Sequence, residues 1–278
     1  MEAKVNRIIP FSNVDGPGNR MAIFLQGCPF NCWYCHNPET INSCIHCGQC
    51  ISSCDSNALT LVNEKVVWNP LKCIGCDCCI QVCEHCATPK ITMYTVEQLM
   101  DKIRYQKAFI QGITVSGGEC MMYASFIEAL AIACKNENIS MLIDSNGYQD
   151  FSKYPVLMEH IDGVMLDVKA YDASFHQLLT GSDNEVVLKN LSYLLSINKL
   201  EEVRTVLLPN YLEESIETVT QIVKLLNHQS RYKLLKYRPY GVRAEYLKQL
   251  GNQIFDDQKL EEIKNHLNGL GYNNIVCI

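Results

Sequence analysis

The placement of cysteine constrains this chain more than any other feature. Of 16 cysteines in 278 residues, all but Cys120, Cys134 and Cys277 fall between Cys28 and Cys86. Disulfide scaffolds are small and secreted, and a chain of this length and apolar content can bury a full core without them. In a reducing compartment a dense block of thiols points to metal or redox chemistry.

Within the block, Cys44, Cys47, Cys50 and Cys54 follow C-x2-C-x2-C-x3-C, and Cys73, Cys76, Cys79 and Cys83 repeat it 29 residues later. This is the spacing of a bacterial two-cluster ferredoxin, in which the fourth cysteine of each run reaches the other cluster. One 4Fe-4S cluster is therefore expected on Cys44, Cys47, Cys50 and Cys83, and a second on Cys73, Cys76, Cys79 and Cys54. Two zinc sites of four cysteines each are the competing reading. Two full runs at matching offset favour iron–sulfur, although Asp55 and Glu84 stand where the familiar proline follows the fourth cysteine. Lys65-Val66-Val67-Trp68, between the runs, reads as part of a small hairpin.

Cys28, Cys32 and Cys35 form a third group, C-x3-C-x2-C, with no fourth cysteine at a fitting distance. Three ligands on a four-iron cube leave one iron open, as catalysis needs. Three, four and four ligands use eleven cysteines, leaving Cys78, Cys86, Cys120, Cys134 and Cys277 as small buried residues or bystanders.

Elsewhere short apolar runs alternate with amphipathic stretches. Strands are expected at 21–25, 113–115, 141–143, 164–166, 203–208 and 232–237. Helices are expected from Thr95, with Gln98 completing a capping box, over 124–134, along Ile216, Val219, Val223 and Leu226, and along Leu260, Ile263 and Leu267, stopped by Gly269. About six βα units fit, fewer than the eight of a closed barrel. The fold class is thus α/β: a partial (β/α)6 TIM-like barrel over 1–42 and 89–278, with an inserted two-cluster ferredoxin-like domain over 43–88. A doubly wound sheet is the runner-up. In either, the site lies at the C-terminal strand ends, where Cys28, Ser116-Gly117-Gly118-Glu119, Asp144-Ser145-Asn146-Gly147, Asp167 and Lys169 fall.

Composition excludes other classes. A net charge of −6 and pI near 5.7 argue against a nucleic-acid binder. No apolar run approaches the roughly 20 residues of a membrane span. Met1 to Arg7 hold no apolar signal core, so a cytoplasmic location is expected.

The three-cysteine loop, with an aromatic before its third cysteine, resembles the radical S-adenosylmethionine (SAM) superfamily. Val14-Asp15-Gly16-Pro17-Gly18-Asn19-Arg20, Cys35-His36-Asn37-Pro38-Glu39, the Ser-Gly-Gly-Glu motif, Asp144 to Gly147 and Leu166 to Lys169 resemble the glycyl-radical-enzyme activating enzymes. The double cysteine run, 112–119 and 179–184 are most similar to the YjjW-type activase. The resemblance implies that the open iron binds SAM through its amino and carboxylate groups. One electron then splits the sulfonium to methionine and a 5′-deoxyadenosyl radical. That radical takes a hydrogen atom from a glycine α-carbon of a partner, the glycyl radical enzyme. It further implies a low-potential donor such as flavodoxin or ferredoxin.

By the same resemblance Gly117 and Gly118 admit the methionine end, Glu119 accepts from the SAM ammonium, and Lys169 meets its carboxylate or ribose. Asp167 is a further cofactor-binding candidate, Arg204 lies near SAM, and Tyr34 stands beside the adenine. Asp144, Ser145 and the Met165 carbonyl match positions that hold a monovalent cation. His36 and Asp15 are candidates to meet the partner's glycine loop; the other histidines, including His228, read as solvent or core residues. One family feature is missing: Pro239-Tyr240 is followed by Gly241 rather than histidine. Two further readings stay open, a radical SAM enzyme acting on a small molecule, and a ferredoxin-class electron carrier whose third site is closed by Cys120.

Overall fold

A computed structural model describes residues 1–227 and 230–278, and His228 lies outside the described residues. The strands are β1 (Glu2–Ser12), β2 (Arg20–Leu25), β3 (Asn42–Ser43), β4 (Leu59–Val62), β5 (Lys65–Trp68), β6 (Ala87–Thr88), β7 (Thr92–Thr95), β8 (Gly112–Gly117), β9 (Ser140–Ser145), β10 (Gly163–Asp167), β11 (Leu200–Leu207), β12 (Arg231–Lys236) and β13 (Ile275–Cys277). The helices are α1 (Cys78–Gln81), α2 (Val96–Gln106), α3 (Ala124–Asn136), α4 (Pro155–His160), α5 (Ala173–Thr180), α6 (Glu185–Ser196), α7 (Leu212–Leu225), α8 (Ala244–Leu250) and α9 (Asp257–Gly269). None of them is long and apolar enough to cross a membrane.

The fold is mixed α/β around one parallel-rich sheet of nine strands, ordered β13-β12-β11-β10-β9-β8-β2-β1-β7. From β13 to β2 all neighbours pair in parallel. Parallel strands are covered on both faces and so read as unbroken apolar runs, as Met141-Leu142-Ile143 and Val164-Met165-Leu166 show. All six expected strands are present, and each of the first five leads through helix to the next. The capping box at Thr95 is formed: its side chain accepts from Gln98 N, and the Gln98 side chain accepts from Thr95 N.

Three strands of the nine-stranded sheet, β1, β7 and β13, escaped the sequence. β1 lies antiparallel between β2 and β7, and an irregularity between Val5 and Arg7 breaks the alternation that would have marked it. β13 extends the far edge with only three residues. One helix end needs correcting: Gly269 is the last residue of α9, and the chain reverses at Gly271, φ +87°. Residues 43–88 hold their own small apolar cluster of Cys50, Leu59, Val66 and Cys79, separate from the main core. The expected hairpin is β4–β5, turning on Asn63 and Glu64, both at positive φ as a type I′ turn requires.

Candidate functional site

The three-cysteine loop leaves the end of β2 and is pinned through its backbone. Gly27 and Cys28 donate to the carbonyls of Thr40 and Ile41; Asn31 and Trp33 donate to those of Thr180 and Leu179 at the end of α5. These bonds set Cys28, Cys32, Tyr34 and Cys35 on one wall of a cleft of about 440 Å³ at the C-terminal strand ends. Its other walls bring together Gly117, Gly118, Asp144, Ser145, Asn146, Asp167, Lys169 and Arg204, with Asp15 and His36. A larger hollow of about 840 Å³ lies elsewhere, between β1, α2 and the 43–88 segment, and holds one candidate ligand, Cys73. The convergence of titratable groups makes the smaller cleft the site.

Burial pushes the Cys28 and Cys35 thiols up and holds Cys32 at about 12, with Lys169 pulling Cys32 the other way. Such thiols stay protonated until metal displaces the proton, which suits cluster ligation. Asn146 donates through Nδ2 to Cys28 Sγ at 3.5 Å. Asn146 was missed as a site residue. Its only signal was its place in the Asp-Ser-Asn-Gly turn.

The paired glycines line the cleft and also carry a packing role. A Cβ on Gly117 (φ +125°) would sit 2.2 Å from both N and O of Leu25, and one on Gly118 would sit 2.3 Å from Gly27 O. Both are needed so that β8 can lie against β2 and its following loop. Glu119 lies behind the cleft wall, fully buried. Its Oε1 accepts from Met121 N at 3.0 Å and Ser145 Oγ at 2.8 Å; its Oε2 accepts from Asn146 N at 2.8 Å. Burial pushes its carboxyl up to about 7 against those three donors.

Charged groups meet on the far wall. Lys169 Nζ lies 2.7 Å from Asp167 Oδ2 and 5.7 Å from the Tyr34 ring centre. Tyr34 is buried, and among the described residues its hydroxyl has no partner. Arg204 Nη1 lies 3.0 Å from Asp144 Oδ2, and its Nε donates to Glu202 at 2.6 Å. Asp144 also accepts from Ser116 Oγ, and Ser145 Oγ accepts from Gly147 N while donating to Glu119. Asp144 Oδ2 and Ser145 Oγ, two of the oxygens expected around a monovalent cation, thus accept from protein donors, and Arg204 is the cation beside Asp144. The Met165 side chain contributes Sδ to Arg204. Cys120 is buried outside the cleft lining, with its thiol donating to Asp144 O.

The other eight cysteines expected as cluster ligands separate into two hollows. Cys44, Cys47, Cys50 and Cys83 line one, Cys54, Cys73 and Cys76 the other, and Cys79 borders both.

A family model described as the radical SAM superfamily matches residues 22–226, and the chain belongs to that superfamily. It is 31% identical, over 95% of its length and 94% of the relative's, to the choline trimethylamine-lyase activating enzyme of Oleidesulfovibrio alaskensis. It is 30% identical, over 93% and 94%, to the trans-4-hydroxy-L-proline dehydratase activating enzyme of Clostridioides difficile. Within the superfamily it is one of the glycyl-radical-enzyme activating enzymes. Among solved structures it is similar to QueE from Escherichia coli, with TM-score 0.57, 12% identity, and coverage of 100% of this chain and 94% of that one. It also matches a domain of a pyruvate-formate lyase-activating enzyme from Bacteroides vulgatus, with TM-score 0.50, 18% identity, and coverage of 60% and 98%. At these identities the structures speak for the fold alone. Membership implies a 4Fe-4S cluster and SAM.

Proposed function

We propose that Cys28, Cys32 and Cys35 hold the SAM-binding 4Fe-4S cluster and that the chain uses it to place a radical on a glycine of a partner enzyme. The carrying observation is that three buried thiols, a glycine pair and the Lys169–Asp167 and Arg204–Asp144 pairs share one cleft. When bound, the reduced cluster supplies the electron that splits SAM to methionine and a 5′-deoxyadenosyl radical, which takes a glycine α-hydrogen. Around it, the strand-end backbone at Gly117–Gly118 receives the methionine end, Lys169 meets its carboxylate or the ribose, with Asp167 fixing the amine, and Tyr34 borders the adenine. Glu119 acts through Ser145 and Asn146, holding the turn that presents Asn146 to Cys28. Arg204 supplies the positive charge at Asp144 in place of a monovalent cation. The apolar walls at Phe24, Phe30 and Val206 exclude water from a reactive radical.

The same proposal takes 43–88 as a ferredoxin-like insert in a partial barrel of 1–42 and 89–278. It carries two further 4Fe-4S clusters, one on Cys44, Cys47, Cys50 and Cys83, the other on Cys73, Cys76, Cys79 and Cys54. The division of these thiols between two hollows supports crossed ligation. A low-potential ferredoxin or flavodoxin would feed them. Cys120 is turned to a backbone carbonyl, which supports an open fourth corner and a catalytic role over an electron carrier. The small-molecule alternative lacks such a supporting observation. Anaerobic incubation with SAM, dithionite and a glycyl radical enzyme tests the function. A glycyl doublet in the partner's electron paramagnetic resonance (EPR) spectrum is expected; SAM cleavage without any partner radical would reject it.

A further inference from the structure

The segment after β12 packs against the three-cysteine loop. Gly241, at φ +79°, approaches so closely that a Cβ there would lie 2.8 Å from His36 O, and the His36 ring meets Arg238 O at 2.9 Å. Gly241 follows Pro239-Tyr240, where the resemblance implies a histidine. Two residues further on, Arg243 reaches into the loop. Its Nη2 donates to the carbonyls of Cys32 at 3.2 Å and Asn31 at 3.3 Å, and its Nη1 lies 3.8 Å from Cys86 Sγ. Its guanidinium stacks on Tyr246 at 4.5 Å, and Tyr246 in turn stacks on Trp33 at 5.4 Å and 13°.

These contacts bracket one short segment. The N–H groups of Asn31 and Trp33 are held by α5, and the C=O groups of Asn31 and Cys32 are held by Arg243. The side chain is only 15% exposed, and its partner Glu245 is 62% exposed at 3.4 Å, so little of its charge is neutralised. Among the described residues its Nε has no partner although buried. A stacked, forked cation is the group best suited to this work, since lysine cannot reproduce the two-pronged grip.

We infer that Arg243 is a positioning residue for the SAM cluster: its fork fixes the ligand loop against the 43–88 segment, and its charge favours the reduced cluster. The inference rests on the ligand assignment proposed above. A cation beside a cluster stabilises the state with one more electron, so removing it makes reduction harder.

The test compares anaerobic holoenzyme with Arg243→Gln and Arg243→Lys variants. EPR-monitored redox titration, with the SAM-responsive signal identifying the cluster, reads the potential. Hydrogen exchange reads the amides of 31–35. Arg243→Gln is expected to shift the midpoint to more negative values and speed exchange on the order of tenfold. Arg243→Lys is expected to restore the midpoint and leave exchange fast. An unchanged midpoint in Arg243→Gln, or a midpoint that lysine fails to restore, overturns the inference. Should Arg243→Gln not fold, Arg243→Lys decides alone: native exchange at 31–35 overturns it. If wild-type enzyme shows no SAM-responsive signal, the ligand assignment has failed instead.

Discussion

Asn146 Nδ2 donates to Cys28 Sγ across 118 residues of sequence, tying the turn after β9 to the first thiol of the three-cysteine loop. Hydrogen bonds to ligand sulfur stabilise the reduced cluster. Asn146→Leu is therefore expected to make the SAM cluster harder to reduce while the iron content stays at the wild-type level. Redox titration followed by EPR checks this, and a wild-type midpoint would remove Asn146 from the site.

Crossed ligation in the 43–88 segment predicts a pattern of non-additivity. Cys44→Ala and Cys83→Ala should each cost about four irons per chain, and the double variant should cost no more. Cys54→Ala should pair in the same way with Cys76→Ala. Combining Cys83→Ala with Cys54→Ala should remove both clusters. Anaerobic iron analysis distinguishes this from uncrossed ligation, in which Cys44 and Cys54 would form the non-additive pair.

Gly117→Ala brings a methyl group against Leu25 backbone, where no side chain can yield. A loss of more than about 3 kcal/mol is expected, since β8 and β2 must separate. Thermal melts should show it even without SAM. A normal melting temperature with weakened SAM binding would return the glycine to a purely ligand-facing role.

Glu119 gives stability a pH dependence of defined sign. Its carboxyl titrates near 7 in the folded chain because burial opposes the charge. The native state thus binds the proton more tightly than the unfolded chain does. Its contribution is fully present below the ordinary carboxylate range and is lost as pH rises through about 7. Melting temperatures of the wild type should fall from pH 5 to 8 more steeply than those of Glu119→Gln. Parallel curves for the two proteins would contradict the assignment.

How much of this was readable in the sequence depends on where each signal lies. The cysteine runs and capping box are local, so spacing alone reveals them. The strand ends follow from apolar runs, and the motifs after them fall together in the cleft. Glu119 and the glycines were legible as residues of the site, but their packing partners, Asn146, Leu25 and Gly27, were not, because strand register fixes them. The Arg243–Cys32 and Trp33–Tyr246 contacts join residues more than 200 positions apart and leave no local pattern. β1 was hidden because a bulge breaks its alternation.

The central claim is that the cubane on Cys28, Cys32 and Cys35 keeps one iron free for SAM. Electron–nuclear double resonance on the reduced enzyme with SAM carrying a ¹⁵N-labelled amino group tests it most directly. The account predicts a strong ¹⁵N coupling from SAM bound to that iron, retained in Cys120→Ala. Absence of coupling in enzyme that holds its full iron content would contradict it.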